Sequence, residues 1–294
     1  MRLLRNRIDI KTPDQVRHMR RAGLVVADIH AALREAVRPG VTTGELDAVC
    51  AATIERAGAH SNFLGYYDYP ATVCISVNDE VVHGIPGERV LTDGDLVTFD
   101  CGAYILDDNG TQWHGDAAFT AVVGGTYRSE SDRLVDTTTR EAPWAAIAAV
   151  ARAAAGEGSG RELRLNAVGD AVEAVVADVA EREGLELGIL QEYVGHGIGM
   201  SMHMAPDVLN YSVKRRGPRL RPGMVLAIEP MLTAGSPATR ELDDGWTVVT
   251  QDGSHAAQWE HTVAIVPGGV WVLTAPDGGA EGLASYGIEP KALG

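Results

Sequence analysis

The chain has 294 residues, 45% hydrophobic and 22% charged, the balance of a folded, soluble protein rather than a disordered or collagen-like one. Its net charge of −15 is uneven: residues 1–40 carry nine Lys/Arg against four Asp/Glu, and the remainder carries 16 against 36. So acidic a body excludes a general binder of DNA or RNA, because neutralising phosphates needs clustered cations.

The length suits one large domain or two fused ones. Cys50, Cys74 and Cys101 are too few for a disulfide framework, and none lies in a CxxC pair, which points to a reducing compartment. No apolar run of signal-peptide length follows the basic start, and no stretch approaches about 18 uninterrupted apolar residues. The expectation is a cytoplasmic protein without a membrane partner, and nothing demands more than a monomer.

In chain order, the first helix opens at Thr12-Pro13-Asp14-Gln15: an N-cap, a proline at the first helical position and a Gln that closes a capping box. It is predicted to reach Arg38, where Pro39-Gly40 stops it. Thr42 and Glu45 form a second capping box, for a helix ending at Gly58. Strands follow at about 73–77, 96–102 and 116–123. Two Ala-rich helices are predicted at about 131–155, with Pro143 kinking or restarting the first, and at 166–183. Strands return at about 224–229, 246–250, 258–266 and 270–274, and 275–294 reads as a loop-like tail. The order helix–helix–strands thus occurs twice. It predicts one α+β domain of two similar halves, about 12–125 and 130–274, with strands meeting in one sheet and helices on one face.

Four acids interrupt otherwise apolar strands: Asp100, Asp116, Glu229 and Glu260. Because strand side chains alternate faces, each shares its face with smaller or more polar neighbours. Asp100 sits with Thr98, Asp116 with Ala118 and Thr120, Glu229 with Ala227, and Glu260 with Thr262 and Ala264. The bulkier Phe99, Phe119, Ile228 and Trp259 point the other way. Any one of these acids alone reads as well as an edge-strand residue facing water. Together they place four carboxylates in one cavity, where mutual repulsion would raise their pKa values unless cations lie between them. His196, between glycines in Gly195-His196-Gly-Ile-Gly199, adds an imidazole; His203 and His83 are further candidates. Hard carboxylates with one imidazole suit Mn, Fe, Co or Zn, and two ions about 3.5–4 Å apart make a hydrolytic centre. A rival reading takes His114-Gly-Asp116 with a distant His as an iron facial triad, but it leaves Glu229 and Glu260 unexplained.

Taken in order, nine features resemble the motifs of type I methionine aminopeptidases over roughly residues 8–274. They are Tyr66-x-x-Tyr69-Pro70-x-x-x-Cys74-Ile-Ser, Val81-Val-His83-Gly-Ile-Pro86, Asp100, His114-Gly-Asp116, Gly195-His-Gly-Ile-Gly199, His203, Ile228-Glu-Pro-Met231, Asp244-Gly-Trp246 and Gln258-Trp-Glu-His-Thr262. The resemblance implies the α+β pita-bread (creatinase/aminopeptidase) fold, two similar halves forming a curved antiparallel sheet with helices on its outer face. It also implies an exopeptidase that removes the initiator methionine from nascent chains with a small second residue. Two divalent ions are implied, Asp116 and Glu260 bridging them, Asp100 completing one and His196 with Glu229 the other. A water shared by the ions is the implied nucleophile, and Glu229 its proton acceptor. His203 is implied to stabilise the oxyanion, and His83 to contact the nitrogen side of the scissile bond.

The methionine pocket is expected to draw on Tyr66, Tyr69, Cys74 and Trp246, since aromatic rings and sulfur suit a thioether; plain core packing is the alternative for these four. Phe63 and Met202 stand where the family commonly carries other residues and should reshape the pocket. The hairpin between Asp100 and Asp116 is longer than the usual family spacing, with a turn at Asn109-Gly110 and Asp107 and Asp108 solvated at its tip. Nascent-peptide N-termini are the implied partner. Five cations in residues 214–221, with Arg2, Arg5, Arg7 and Lys11, are candidates for a transient ribosome contact or simply a solvated surface. An X-Pro aminopeptidase or dipeptidase of the same fold and a non-catalytic binding paralogue are the alternatives. All five ligand positions are filled, which argues against the paralogue. No segment matching the extra domain of proline-specific relatives precedes the first helix, which favours methionine removal.

Overall fold

The computed structural model describes residues 7–215 and 217–293. Helix α1 (Pro13–Ala36) starts as its capping box dictates: Thr12 Oγ1 accepts from the Gln15 N–H at 3.3 Å, and Gln15 Oε1 accepts from the Thr12 N–H at 2.9 Å. It ends two residues before the predicted Arg38. Pro39 drives the residue ahead of it out of helical geometry, and Val37 has already turned extended at ψ 120°. Helix α2 (Thr43–Arg56) carries the same reciprocal cap between Thr42 and Glu45. Helix α3 (Glu130–Ala154) runs through Pro143 as one continuous helix, without the restart that was one of the two expected outcomes. There Ala142, Pro143 and Ala146 are buried, and packing outweighs the one donor the proline removes. Helix α4 spans Asn166–Glu183 as predicted.

Among the described residues the strands of the α+β fold form four antiparallel ladders. The first centres on a long hairpin, Leu96–Leu106 against Gln112–Val122, with Cys74–Val77 alongside so that Cys74 lies opposite Asp100. The second orders Gly269–Val272, His261–Val266, Val225–Ile228, Gly195–Gly197 and Met204–Val208. Two three-stranded ladders complete the set: Ala256–Gln258, Met231–Thr233 and Gly188–Ile189, and Thr239–Glu241, Val248–Thr250 and Glu80–Val82. A seam joins the hairpin to the five-stranded ladder. Across it the Glu260 N–H donates to Ala118 O at 3.0 Å, and the Thr262 hydroxyl donates to Asp116 O at 2.7 Å and accepts from the Asp116 N–H at 3.0 Å. At this seam the Thr262 hydroxyl, rather than a second backbone group, meets the N–H and C=O of Asp116.

Alternation sorts the hairpin as its sequence predicts. Phe99 and Phe119 stack at 5.0 Å in the core against α1, while Thr98 and Thr120 bond at 2.9 Å on the opposite face, the face of Asp100 and Asp116. Helix α1 packs so closely on the hairpin that a Cβ at Gly115 would lie 2.8 Å from Gly23 N. At the hairpin tip Asp107 is not simply solvated. It accepts from the Trp113 indole N–H at 3.0 Å and from the Asn109 and Thr111 N–H groups at 2.9 Å, bonds that hold its pKa down at about 2. The tail is not all loop either: Asp277 accepts from the Glu281 N–H at 2.6 Å and starts a one-turn helix α5 (Ala280–Ala284) that buries Leu283. No helix among the described residues is long and apolar enough to cross a membrane, and Cys50, Cys74 and Cys101 are free and buried.

Candidate metal centre

The seam brings the acids together. Asp116 reaches it from the hairpin. Glu229 and Glu260 stand one residue outside the strands Val225–Ile228 and His261–Val266 in which they were expected. Pro230 cannot extend a ladder beyond Glu229, and Glu260 spends its N–H across the seam. Ligand atoms of Asp116, His196 and Glu260 lie within 4.8 Å of one another. Asp100 and Glu229 lie outside this tight trio but line the same cavity of about 350 Å³.

His196 is presented by the short strand Gly195–Gly197, whose glycines do not open room for a ligand. A Cβ on Gly195 would lie 2.4 Å from Ala227 O, and one on Gly197 2.2 Å from Ala205 O, so they permit close approach of the flanking strands. The His196 Nδ1–H donates to Gly197 O at 3.0 Å, which leaves Nε2 as the free acceptor facing Glu229 Oε1 at 3.5 Å. The contact is not an ion pair. Burial, then the nearby His203, lowers the His196 pKa to about 3, so the ring is neutral. Neutral imidazole is the metal-binding form.

Burial raises all four carboxyls. Asp100 is pushed up to about 7, and Asp116, Glu229 and Glu260 are raised well above their ordinary values by burial and then by one another's charge. Asp100 Oδ1, Asp116 Oδ1 and Glu260 Oε1 are buried without a hydrogen-bond partner. Natively orphaned buried oxygens are costly. Three of them beside a bare imidazole nitrogen form a hard donor set that fits divalent cations.

All thirteen residues singled out in the sequence line this cavity. Phe63, Tyr69, Cys74 and Met202 pack as one apolar cluster with Tyr66 and Trp246 against it. Tyr69 meets Trp246 edge to face at 5.0 Å, and its hydroxyl donates to Gly84 O at 2.8 Å. Trp246 lies in a turn, not in the strand predicted at 246–250. Asp244 holds that turn by accepting from the Trp246 and Thr247 N–H groups at 2.9 and 2.8 Å. His83 adopts φ +62°, a strained region for histidine, with its ring edge-on to Tyr193 at 5.4 Å and to Trp246 at 6.0 Å. Burial and the nearby His203 lower its pKa to about 4. The His203 ring lies 4.4 Å from the His196 ring, with Nδ1 2.8 Å from the Tyr66 hydroxyl. Tyr66 therefore holds a histidine as well as facing the apolar end.

Sequence reasoning missed Gln258, whose Nε2 lies 3.5 Å from Glu229 Oε2 and which also hydrogen-bonds the Asp100 carboxyl. It missed Val82, Glu192, Tyr193, Val194 and Met231 as lining residues too. Gln258 opens the recognised motif Gln258–Thr262 and Tyr193 sits beside another, yet nothing in their spacing marks either as a site residue. His114 turns aside from the facial-triad reading: its Nδ1 bonds Asn62 Oδ1 at 2.8 Å, and it does not line the cavity.

The model of metallopeptidase family M24 matches residues 17–267. Methionine aminopeptidase 1 of Mycobacterium tuberculosis is 47% identical over 257 residues, 87% of this chain and 91% of that protein. Methionine aminopeptidase 1 of Bacillus subtilis is 41% identical over 264 residues, 90% and 98% of the two chains. Among solved structures, a methionine aminopeptidase from Thermotoga maritima superposes with a TM-score of 0.80 at 35% identity, covering 91% of this chain and 99% of that one. A prolidase from Pyrococcus furiosus, at 20% identity and a TM-score of 0.64, shares the fold over 90% of this chain and 65% of its own.

Proposed function

The chain belongs to metallopeptidase family M24 and has its pita-bread fold, and from that premise we propose that its cavity releases the N-terminal methionine of peptides and proteins. The observation that carries the reading is the juxtaposition, in a cavity of about 350 Å³, of an acid–imidazole donor set and an aromatic end containing Cys74 and Met202. One end suits cations and the other a thioether.

Asp100, Asp116, His196, Glu229 and Glu260 would hold two divalent ions, with Asp116 and Glu260 as the shared ligands. The chemistry such ions would supply is activation of water and polarisation of the scissile carbonyl. The protein's own groups supply the rest. Glu229 accepts the proton of the attacking water at a carboxylate oxygen, and Gln258 beside it orients that carboxylate. With the Tyr66 hydroxyl 2.8 Å from Nδ1 and donating to it, His203 would carry its hydrogen on Nε2 and donate it to the developing oxyanion. His83, kept neutral by burial, contacts the nitrogen side of the scissile amide. Phe63, Tyr66, Tyr69, Cys74, Met202 and Trp246 enclose the methionine side chain and exclude water from it.

The whole chain acts as a single catalytic domain, with Mn, Fe, Co or Zn as candidate ions and nascent chains of small second residue as substrates. Contact with the ribosome would fall to the exposed Lys214, Arg215, Arg219 and Arg221 and to Arg7; Arg2, Arg5 and Arg216 lie outside the described residues. The reading is tested by offering the Mn²⁺-loaded protein Met-Ala-Ser and Ala-Pro-Ser side by side and separating the free amino acids. Release of methionine alone is expected. Release of alanine but no methionine would assign the X-Pro activity instead.

A further inference from the structure

Residues 255–260 lie between helix α3 and the cavity and present alternate side chains to each. Glu260 lines the cavity and Gln258 reaches the cavity acid Glu229, whereas Trp259 points to the helix. Trp259 and Glu260 fall between the strands Ala256–Gln258 and His261–Val266; the Glu260 N–H is held by Ala118 O at 3.0 Å, but the Trp259 N–H reaches Pro230 O only at 3.5 Å. Side chains supply a second anchor at Trp259. The Trp259 indole N–H donates to Asp136 Oδ1 at 2.8 Å, and the Tyr127 hydroxyl donates to Asp136 Oδ2 at 2.6 Å. Asp136 is 4% exposed, and the Arg34 and Arg140 guanidiniums stand 5.4 and 5.9 Å from the Trp259 ring. One helical turn earlier, Asp132 Oδ1 lies 2.8 Å from His255 Nδ1, at the other end of the segment.

We propose that Asp136, acting through Trp259, positions the Glu260 carboxylate for its cation, so that helix α3 sets the metal affinity of the centre. The inference rests on Glu260 being a metal ligand. Nothing in the proposed chemistry uses Asp136 itself, which touches neither cavity nor substrate. Its effect should therefore appear in metal binding and not in substrate binding. Groups that orient a metal ligand are commonly worth about ten- to hundredfold in affinity.

The test titrates metal-stripped protein with Mn²⁺ by calorimetry. Trp259→Phe keeps the ring and removes only the N–H; Asp136→Asn keeps the shape and removes the charge. For Trp259→Phe the Mn²⁺ dissociation constant should rise about tenfold or more. With saturating Mn²⁺, KM for Met-Ala-Ser should stay within about twofold and the lost turnover should return. Ile54→Ala, buried on α2 and outside the cavity lining, serves as a control that loses stability without losing Mn²⁺ affinity. Wild-type Mn²⁺ affinity in Trp259→Phe overturns the proposal even if Asp136→Asn fails to fold. A wild-type protein that binds no Mn²⁺ overturns the metal reading and this inference together.

Discussion

Stripping the divalent ions should make the stability of this protein fall as pH rises, in contrast to proteins whose acids are stabilised by partners. Burial lifts the Asp100 pKa from 3.8 to about 7, and burial with the charge of neighbouring carboxylates also lifts Asp116, Glu229 and Glu260 well above their ordinary values. A carboxyl with a raised folded-state pKa binds more protons folded than unfolded between the two values. Its contribution is full below about pH 4 and is lost as pH climbs through the folded value. For Asp100 alone, the interval from pH 5 to its pKa of about 7 is worth on the order of 3 kcal/mol at ~1.4 kcal/mol per unit. A chain of this size shifts by roughly 2–4 °C per kcal/mol, so the metal-free melting temperature should drop by roughly 6–12 °C between pH 5 and pH 8. Bound cations remove the repulsion. Scanning calorimetry at several pH values, with EDTA or with saturating Mn²⁺, gives the gap between the two melting temperatures, and that gap should widen with pH. A gap that stays constant from pH 5 to pH 8 would refute the assignment of these acids to a cation site.

Asp116→Ala and Glu260→Ala should each abolish methionine release and weaken Mn²⁺ binding while leaving the circular dichroism spectrum unchanged; activity in either variant removes that residue from the bridging role. Tyr66→Phe deletes the hydroxyl 2.8 Å from His203 Nδ1. It should lower kcat by about tenfold, the worth of ~1.4 kcal/mol in a transition-state hydrogen bond, with KM little changed. Steady-state kinetics on Met-Ala-Ser decide this, and an unaltered kcat would leave Tyr66 as pocket lining only. Gly115→Ala drives a Cβ to 2.8 Å from the backbone of Gly23, so α1 must shift off the hairpin at a cost of about 1–3 kcal/mol. A melting temperature equal to that of the unaltered protein would contradict that packing.

What the sequence discloses about this site is local, and what it hides is long-range. The caps at Thr12 and Thr42 are readable because their partners lie three residues away. The acids were legible because strand alternation separates Asp100 and Asp116 from Phe99 and Phe119 within a few residues. The family motifs then tied strands together that no local signal connects. Bonds between distant residues were invisible: Tyr66 to His203 spans 137 positions, and Asp136 to Trp259 spans 123. Each needs the finished fold before either residue type means anything. The seam between the hairpin and the five-stranded ladder was invisible for the same reason, since bonds such as those of Thr262 and Glu260 to the hairpin exist only in the finished fold.

The most direct measurement is release of free methionine from Met-Ala-Ser by metal-stripped protein titrated with Mn²⁺. The account predicts no release without metal and a rise to a plateau as the metal site fills. Equal release before and after stripping, or none from protein shown to hold bound Mn²⁺, would contradict it.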